Sequence, residues 1–545
     1  MTKSRAGLIS TCAAAWLIAA VTASTRAQEV QAGAAATPHA GVSFLTSDNC
    51  LACHNTLTAA SGEDVSIGVA WRASMMANSA RDPYWQAGVR RELIDHPSAK
   101  EAIEHECSIC HMPMAHTNAV SEGRLPEIIR LLPGNGDSDE HRFAADGVSC
   151  SLCHQISADK LGTRESFVGR FVIAPGPTKM LGPFEIDPGR TAIMRSATGV
   201  EPAEARHLRD SELCATCHTL FTQALAPDGS AAGSLPEQVP YLEWRHSAFR
   251  TERSCQSCHM PQVASAPITS VLGELRETVG RHTFLGGNFF VLRMLNRFRE
   301  DLGVIAPAQE LEAAAQGTVR QLQTETAAIS ITRTVRRGAV LEFEVEVRNL
   351  TGHKLPTGYP SRRVWLQVSV RDASGKRLFE SGAVDPRGRI LGNDNDADPL
   401  RVEPHYEEIR TAEQVQIYES MMVDSAGQIT TGLLHGVSFV KDNRLLPRGF
   451  NKATAEDDIA VRGEAAADPS FTAESDRVRY VIELGTSSGP FYVDALLRFQ
   501  PISFRWAENL RPYDAAETRR FVSYYDKMAA SSSVELARAN ARVDP

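Results

Sequence analysis

The sequence predicts a multidomain protein in which a mostly α-helical and irregular part precedes a β-sandwich-like domain of the immunoglobulin type. Two observations predict this division. Five copies of the pattern Cys-x-x-Cys-His fall within residues 46–290, among short helical stretches and long loops. Residues 326–505 contain no cysteine and have several short runs in which apolar and polar residues alternate. The predicted parts are a signal peptide (1–27), a flexible lead-in (28–45), a motif segment with a trailing helix (46–325), a β segment (326–505) and a helical tail (506–545).

The N-terminus has the pattern of a secretory signal peptide. Basic residues precede a mostly apolar stretch over residues 7–20, and small residues up to Ala27 predict cleavage after it. Cys12 lies inside this peptide, where we expect it to be removed; a lipid anchor is the alternative. No other stretch has the length and apolar character of a membrane span. We therefore expect export to the periplasm or cell surface, with no integral membrane segment after cleavage.

The five motifs are the most specific feature of the chain. Their cysteine pairs are Cys50 and Cys53, Cys107 and Cys110, Cys150 and Cys153, Cys214 and Cys217, and Cys255 and Cys258, and the histidines that follow are His54, His111, His154, His218 and His259. This is the attachment signature of c-type haem, in which two thiols bond to the porphyrin and the histidine binds the iron. Zinc sites and disulfides also use such pairs, but neither requires a histidine after each pair. The sequence thus predicts a pentahaem cytochrome c domain with five covalently attached haems.

The remaining elements follow from periodicity. Helices are predicted over residues 81–94 and 99–110, with Pro83 suited to a first turn, and a trailing helix over 290–325. Alternation of apolar and polar residues predicts strands over residues 339–349, 364–371, 478–484 and 492–499. Residues 372–375 (Asp-Ala-Ser-Gly) predict a turn after the second of these strands.

Several short motifs resemble those of exported multihaem c-type cytochromes, in the broad group that includes hydroxylamine-oxidoreductase-like and tetrahaem cytochromes. They are Cys-His-Met-Pro at 110–113 and 258–261, Gly-Val-Ser-Cys at 147–150, His-x-Phe-x-Gly-Gly-Asn at 282–288, Thr-Gly-His-Lys-Leu-Pro-Thr-Gly at 351–358 and Lys-Asp-Asn-Arg-Leu-Leu-Pro at 441–447. The resemblance covers most of residues 46–510 and implies electron transfer outside the cytoplasm, although the group also contains enzymes. The chain lacks the Cys-x-x-Cys-Lys motif of the nitrite-reducing haem and has fewer motifs than octahaem enzymes, which weakens the enzymatic interpretation.

The sixth iron ligand decides what each haem can do, because a second His or a Met closes the iron to substrates. Histidines outside the motifs that we consider candidate distal ligands are His116, His141, His207, His246 and His282. His353 lies in the β segment, from which it could bind a haem and hold the two parts together. Met75 and Met76 stand where related proteins often have a His, so either is a candidate thioether ligand. The alternatives are surface or propionate-bonding histidines and core methionines.

The amino-acid composition narrows the classes of molecule that the protein could bind. The formal net charge is −9, which argues against nucleic-acid binding and suits docking to basic redox partner proteins. The leading hypothesis is an electron-transfer protein. The alternative is an oxidoreductase for a small nitrogen or sulfur compound at one haem with an open position, where Arg281, Lys354, Arg362 or Arg363 would line the distal face or bond propionates. A structural or adhesive role carried by the β segment is a third hypothesis.

Overall fold

The computed structural model describes residues 44–174, 178–226 and 228–544. The predicted signal peptide and residues 28–43 of the predicted lead-in lie outside them. The last two residues of that lead-in are not flexible: Phe44 is buried, and the Leu45 N–H donates to Ser151 Oγ at 3.2 Å. Within the described ranges, no helix combines the length and the apolar character needed to cross a membrane.

The motif segment consists of short helices and small two-stranded sheets. Its helices are α1 (Asp48–Leu51), α2 (Ile67–Arg72), α3 (Pro83–Asp95), α4 (Lys100–His111), α5 (Pro113–Ser121), α6 (Ile128–Leu131), α7 (Asp139–Ala145), α8 (Cys150–Cys153), α9 (Pro188–Thr198), α10 (Ser211–Ala215), α11 (Pro240–Arg245), α12 (Cys255–His259), α13 (Phe289–Arg297) and α14 (Ala308–Glu325). Its strands are β1 (Lys179–Gly182), β2 (Glu201–Glu204), β3 (Leu220–Leu225), β4 (Ala231–Gln238), β5 (Gln262–Ala266) and β6 (Arg276–Gly280), paired in that order.

Local sequence explains the longer helices. Asp82 caps α3 by accepting from the Tyr84 and Trp85 N–H groups, and Pro83 occupies the first turn as predicted. The predicted trailing helix over 290–325 is in fact two helices. The chain turns at Gly303, whose φ is +60°, and Pro307 then precedes α14, because proline fits a helix start and not a helix interior.

The β segment contains two larger sheets. Its elements are β7 (Ala327–Arg337), β8 (Val340–Asn349), β9 (Arg363–Arg371), β10 (Arg377–Ser381), α15 (Asp394–Ala397), β11 (Glu408–Ile409), β12 (Ile417–Tyr418), β13 (Ser420–Val423), β14 (Ile429–Thr430), β15 (Ser438–Asp442), β16 (Ser475–Glu483) and β17 (Phe491–Gln500); α16 (Phe504–Glu508), α17 (Ala516–Met528) and β18 (Val534–Val543) follow. One sheet has the order β10-β9-β17-β18 with β12 on β9, and the other β11-β16-β8-β7. β13 pairs with β14 and β15. The four predicted strands are confirmed; an immunoglobulin-like sandwich stays a prediction.

One continuous hydrophobic core joins the two larger sheets with helices α13 and α17. Val345 of β8, Val368 of β9 and Leu497 of β17 are fully buried in the same cluster of apolar side chains. Phe290 of α13 and Phe521 of α17 belong to that cluster too. The core therefore continues across residue 325, where the motif segment was predicted to end.

The predicted helical tail over 506–545 is wrong at its end. Helix α17 is present, but residues 534–543 form β18, which pairs antiparallel with β17. The reason is a two-residue alternation in which Ala537, Ala539 and Ala541 are partly buried while Arg538, Asn540 and Arg542 are exposed, a pattern that favours a strand.

Candidate haem centres

Each motif lies on or beside a short helix, which explains its spacing. The motifs involve α1, α4, α8, α10 and α12, and the histidine N–H donates to the first cysteine's carbonyl oxygen at 3.1 Å in His54, 3.0 Å in His154 and 2.9 Å in His218. A helical turn of this kind brings residues i, i+3 and i+4 to one side. None of the ten described cysteines forms a disulfide bond in the structure. In the part of the chain that the structure describes, no cysteine belongs to a group of three or more metal-ligand atoms.

Main-chain carbonyl groups from distant segments orient the motif histidines. The Nδ1 atom of His54 lies 2.6 Å from the Ile268 oxygen, and that of His111 lies 3.1 Å from the Ser79 oxygen. His154 Nδ1 lies 2.5 Å from the Leu181 oxygen, and His259 Nδ1 bonds the Leu285 oxygen. A carbonyl accepts only, so each Nδ1 carries the proton and each Nε2 keeps its lone pair for a metal.

Two motif histidines face a second histidine across a gap that suits one metal ion. The ring centroids of His154 and His282 are 6.3 Å apart with an interplanar angle of 19°. Those of His259 and His353 are 6.2 Å apart at 17°. Two imidazoles that bind one metal end-on, with metal–nitrogen bonds of about 2 Å, have centroids roughly 6 Å apart. The spacing fits haem iron held between two histidines.

The two facing histidines are also in the correct protonation state. His282 Nδ1 donates to the Gly280 oxygen at 3.2 Å, and His353 Nδ1 donates to the Lys354 oxygen at 2.9 Å. Burial lowers the pKa of His282 to about 3 and that of His353 to about 4. Both imidazoles are therefore neutral at physiological pH, as metal ligation requires.

The structure places the other candidate ligands differently. His116 is buried, with Nδ1 2.9 Å from Ser108 Oγ and its ring 4.7 Å from that of His105. Both nitrogens of His141 are hydrogen-bonded, to Ser138 Oγ and to the Arg130 oxygen. Those two bonds hold the His141 side chain, in the first turn of α7, between Ser138 and Arg130.

His207 and His246 use Nε2 for main-chain hydrogen bonds, to the Ile156 oxygen at 2.8 Å and the Asn451 oxygen at 3.2 Å. Met75 packs against the main core, and the Met76 carbonyl oxygen accepts from the Val148 N–H. Within the described ranges, neither His207 nor His246 forms a ring pair with a motif histidine like the two above. Sequence reasoning also missed a contact that no motif signals: Trp85 stacks on His111 with centroids 4.3 Å apart.

The first and third motifs are joined through Asp146. Its carboxylate accepts from the Ser47 N–H at 2.9 Å and from the Ser149 hydroxyl group, which directly precede the two motif helices. The Cys50 and Cys150 side chains interact with each other. These two motifs are thus immediate neighbours.

The second and fourth motifs meet at Gly169. Its N–H donates to the Thr216 oxygen at 2.6 Å, and a Cβ atom there would lie 2.0 Å from Ile109 Cγ2. With φ at +69°, this position requires glycine on both steric and backbone grounds. The Cys110 and Cys217 side chains interact at the same junction.

The fifth motif is joined to the helix of the fourth. The Cys255 N–H donates to Ser211 Oγ at 3.0 Å, and Gln256 Nε2 donates to the Asp210 oxygen at 2.7 Å. Leu152 of the third motif and Cys217 of the fourth share an apolar cluster. All five motifs therefore form one connected group, in which the fourth contacts the second, third and fifth.

A buried charge cluster fixes the loop that carries His353. Lys354 Nζ lies 2.7 Å from Asp442, and Arg444 lies 2.7 Å from Asp442 and 2.8 Å from Glu243 of α11. The two cations hold the pKa of Asp442 far below its usual range, while burial lowers the pKa of Lys354. Because Glu243 belongs to the motif segment and the other three to the β segment, this charge cluster ties the two parts together beside His353.

Comparison with known proteins gives one structural likeness. No protein-family model matches the chain, and no curated protein matches it. A penta-haem cytochrome c552 from Thermochromatium tepidum is similar in structure, with a TM-score of 0.51 and 17% sequence identity over 92% of this chain and 99% of that chain. At this identity the likeness concerns the fold. The chain has the fold of a multihaem c-type cytochrome. The narrower resemblance to hydroxylamine-oxidoreductase-like and tetrahaem cytochromes stays a prediction.

In this cytochrome fold, three of the four basic residues considered for a distal face have carboxylate partners. Arg281 pairs with Glu63 at 2.6 Å. Lys354 belongs to the charge cluster, and Arg363 bonds both oxygens of the fully buried Asp396 at 2.8 Å. These contacts explain the three side chains structurally. Arg362 differs from them because its hydrogen bonds go to neutral acceptors, the Thr357 oxygen and Asn288 Oδ1.

Proposed function

We propose that this chain holds five c-type haems and transfers electrons between redox partner proteins. The ten motif cysteines would form the thioether bonds, and His54, His111, His154, His218 and His259 would bind the irons. Each c-type haem supplies an iron that is reduced and oxidised by one electron. The observation that carries the proposal is the pair of facing histidines at both the third and fifth motifs.

The arrangement of the motifs supports transfer along a chain of centres. Asp146 links the first and third motifs, and Gly169 and Ser211 link the fourth motif to the second and the fifth. Contacts of this kind hold the attachment helices of neighbouring centres close to one another. The residues act by fixing spacing and orientation, which is what electron transfer requires of a protein.

The geometry supports a proposal for two distal ligands. We assign His282 to the centre of His154 and His353 to the centre of His259. Both were candidates from the sequence. The assignment makes the β segment part of the redox machinery, because His353 reaches the fifth motif from the loop before β9.

An oxidoreductase acting on a small nitrogen or sulfur compound is the second candidate, and one observation favours it. Glu92 and Glu237 are buried near Cys107 of the second motif, and burial raises the pKa of each to about 7. Thr222 Oγ1 donates to Glu237, and the Leu433 N–H donates to Glu92. Buried carboxyl groups that titrate near neutrality are typical of sites that move protons with electrons. The second motif is where such an activity would lie.

We further propose export. The N-terminal pattern predicts a signal peptide, and haem of this type is attached outside the cytoplasmic membrane. The net charge of −9 would favour a basic partner surface.

The test is a count of centres and of their ligand states in the purified protein. Mass spectrometry should give five haems, and electron paramagnetic resonance with near-infrared magnetic circular dichroism should show at least two bis-histidine low-spin irons. His282→Gly should remove one of these bis-histidine signals. His246→Gly is the matched control, since its Nε2 bonds the Asn451 oxygen, and it should remove none. A polypeptide without covalent haem contradicts the proposal.

Adding cyanide, nitrite or hydroxylamine separates the two candidate functions. A spectrum unchanged by all three supports electron transfer alone. A shift that depends on Glu92 or Glu237 supports the oxidoreductase.

A further inference from the structure

Arg362 is a charged side chain without a counter-charge. Its Nη1 donates to the Thr357 oxygen at 2.9 Å and its Nη2 to Asn288 Oδ1 at 3.0 Å, both neutral acceptors. Across the residues that the structure describes, no carboxylate lies within 4 Å of the guanidinium. The adjacent Arg363, in contrast, makes two bonds to Asp396.

Such an arrangement is unfavourable for the protein alone. A guanidinium stays charged and offers five N–H donors, of which Arg362 uses two. Burial without a compensating charge lowers the pKa of Arg362 to about 10. A buried charge is normally paired, and a guanidinium matches the two oxygens of a carboxylate or similar oxyanion.

Arg362 lies between the fourth and fifth motifs. Its charge acts on His218 of the fourth motif and on both His259 and His353 of the fifth. Asn288, its hydrogen-bond partner, precedes α13 and lies three residues after Leu285, whose oxygen orients His259. The guanidinium is therefore built into the same loops that hold the ligands.

The loop around Arg362 is fixed and is not a flexible arm. Thr357 Oγ1 donates to Glu243 at 2.5 Å, and Gly358 has φ at +81° with Arg362 Nη1 3.1 Å from where its Cβ would lie. A side chain at Gly358 would press on the guanidinium. Arg362 itself is partly exposed, and its hydrogen bonds to Thr357 and Asn288 hold the guanidinium group at this position.

We propose that Arg362 is an oxyanion-binding residue at the junction of the fourth and fifth motifs, where its charge raises the reduction potential of both centres. The inference rests on the proposed haem attachment. The anion is a carboxylate of the cofactor itself or a free small oxyanion, two sources with the same bidentate chemistry. Arg362 would hold the anion in place and is a positioning residue, because it binds no iron.

The first test compares Arg362→Gln with Arg448→Gln in the haem-loaded protein. Arg448 pairs with Glu252 at the surface and serves as the matched control. We expect Arg362→Gln to lower the reduction potentials of two of the five centres. The oxidised-to-reduced ratio of each should rise about tenfold at fixed potential, which corresponds to 59 mV for one electron. The control should leave all five unchanged, and Arg362→Lys should recover most of the shift.

A second variant keeps the arginine and supplies the missing charge. Asn288→Asp would place a carboxylate about 3 Å from Nη2, where the amide oxygen now lies. It should lower the potentials of the same two centres. This variant keeps the inference testable if Arg362→Gln does not load haem.

The source of the anion is decided by titration. If the cofactor supplies it, adding sulfate or phosphate leaves the wild-type potentials unchanged while the Arg362→Gln shift persists. If a free oxyanion supplies it, the wild-type potentials move with added sulfate or phosphate and those of Arg362→Gln do not. Potentials unaffected by Arg362→Gln, Asn288→Asp and added anions overturn the inference. Absence of haem in the wild type would instead overturn the proposed function.

Discussion

The motif segment and the β segment reach an ordered state in different ways. In the β segment, alternate residues of β8, β9, β16 and β17 are fully buried in one large cluster. Away from that cluster, the described residues of the motif segment form only small apolar groups, such as the one around Leu131 and Ala144 and the one around Leu57 and Val279. Its order depends instead on hydrogen bonds that link one motif to another.

This difference shows how a segment with little hydrophobic core of its own depends on other sources of stability. A small apolar group buries too little surface to offset the entropy of ordering loops. On the proposed haem attachment, we expect the motif segment to require its haems to complete folding, whereas the β segment has most of its strands in the main hydrophobic core that it shares with α13. The contact at His353 is where the self-sufficient region supports the dependent one.

The strongest test removes a centre at the point where the motifs meet. Replacing both Cys214 and Cys217 by Ala should lose one haem and remove amide protection over much of the motif segment, because the fourth motif contacts three others. Hydrogen exchange with mass spectrometry would show this, and strands β8 and β16 should stay protected.

The control for that variant is the pair Cys50→Ala with Cys53→Ala. The first motif is joined only to the third in the contacts described above, so the loss of protection should stay near Asp146. Equal losses from the two double variants, or loss of β8 protection in either, would contradict the distinction between the two regions.

The next largest effect is expected at the charge cluster. Lys354→Met removes a cation that lies 2.7 Å from Asp442 and should reduce the free energy of unfolding by roughly 3–5 kcal/mol, because it breaks a buried ion pair. It should also disturb the low-spin signal that depends on His353. Chemical denaturation and magnetic circular dichroism measure the two effects.

Lys441→Met separates stability from ligation. Lys441 is equally buried and pairs with Glu419 at 3.0 Å, but it belongs to β15 and not to the His353 loop. We expect a similar loss of stability with an unchanged haem spectrum. A spectrum altered equally by both variants would show that His353 is not specifically supported by Lys354.

Local patterns predicted much of this fold and named one member of each facing histidine pair as a candidate ligand. The helix predicted over 81–94 is α3, and the strand predicted over 364–371 is β9, because capping and two-residue alternation are local signals. His282 was a candidate because it lies in a glycine-rich motif, and His353 was a candidate because it could bind a haem from the β segment. Their partners could not be assigned, since residues 154 and 282 meet only through the tertiary fold.

The sequence was least informative where several interactions are possible for one residue type. His141 and His246 resemble ligands in spacing, yet nearby acceptors and donors engage them. The isolation of Arg362 could not be predicted, because Arg281 and Arg363 have the same charge and differ only in which carboxylates the fold brings to them. Strand β18 was missed because its small alanines give a weak alternation.

A smaller effect is expected on how the free energy of unfolding depends on pH, through Glu237 beside the second motif. Burial raises the pKa of Glu237 from 4.5 to about 7, so the folded state binds a proton that the unfolded state has already lost between these values. This contribution is fully present below pH 4.5 and is lost as pH rises through 7. By 1.36 kcal/mol per pKa unit, the loss is about 3 kcal/mol at most.

Glu237→Gln should remove that part of the pH dependence. The variant protein should be more stable than wild type at pH 8 and similar at pH 4.5, as measured by urea denaturation of the haem-loaded form. Parallel curves for the two proteins between these pH values would show that Glu237 does not titrate in this window.

The smallest predicted effect comes from comparing an exposed helix, α9, with a helix that packs in the main core, α17. Asp187 caps α9 by accepting from the Gly189 and Arg190 N–H groups at 2.8 and 3.1 Å, and none of the residues of α9 is buried. Asp187→Ala should cost about 1 kcal/mol, which is roughly a fivefold loss of amide protection confined to α9, without any change in global stability. Thr518→Ala in α17, whose hydroxyl group donates to the Tyr513 oxygen at 2.6 Å, should lower the free energy of unfolding of the whole protein, because Phe521 of that helix lies in the main core. If both changes acted only locally, α17 would not be part of the cooperative core that the β segment shares.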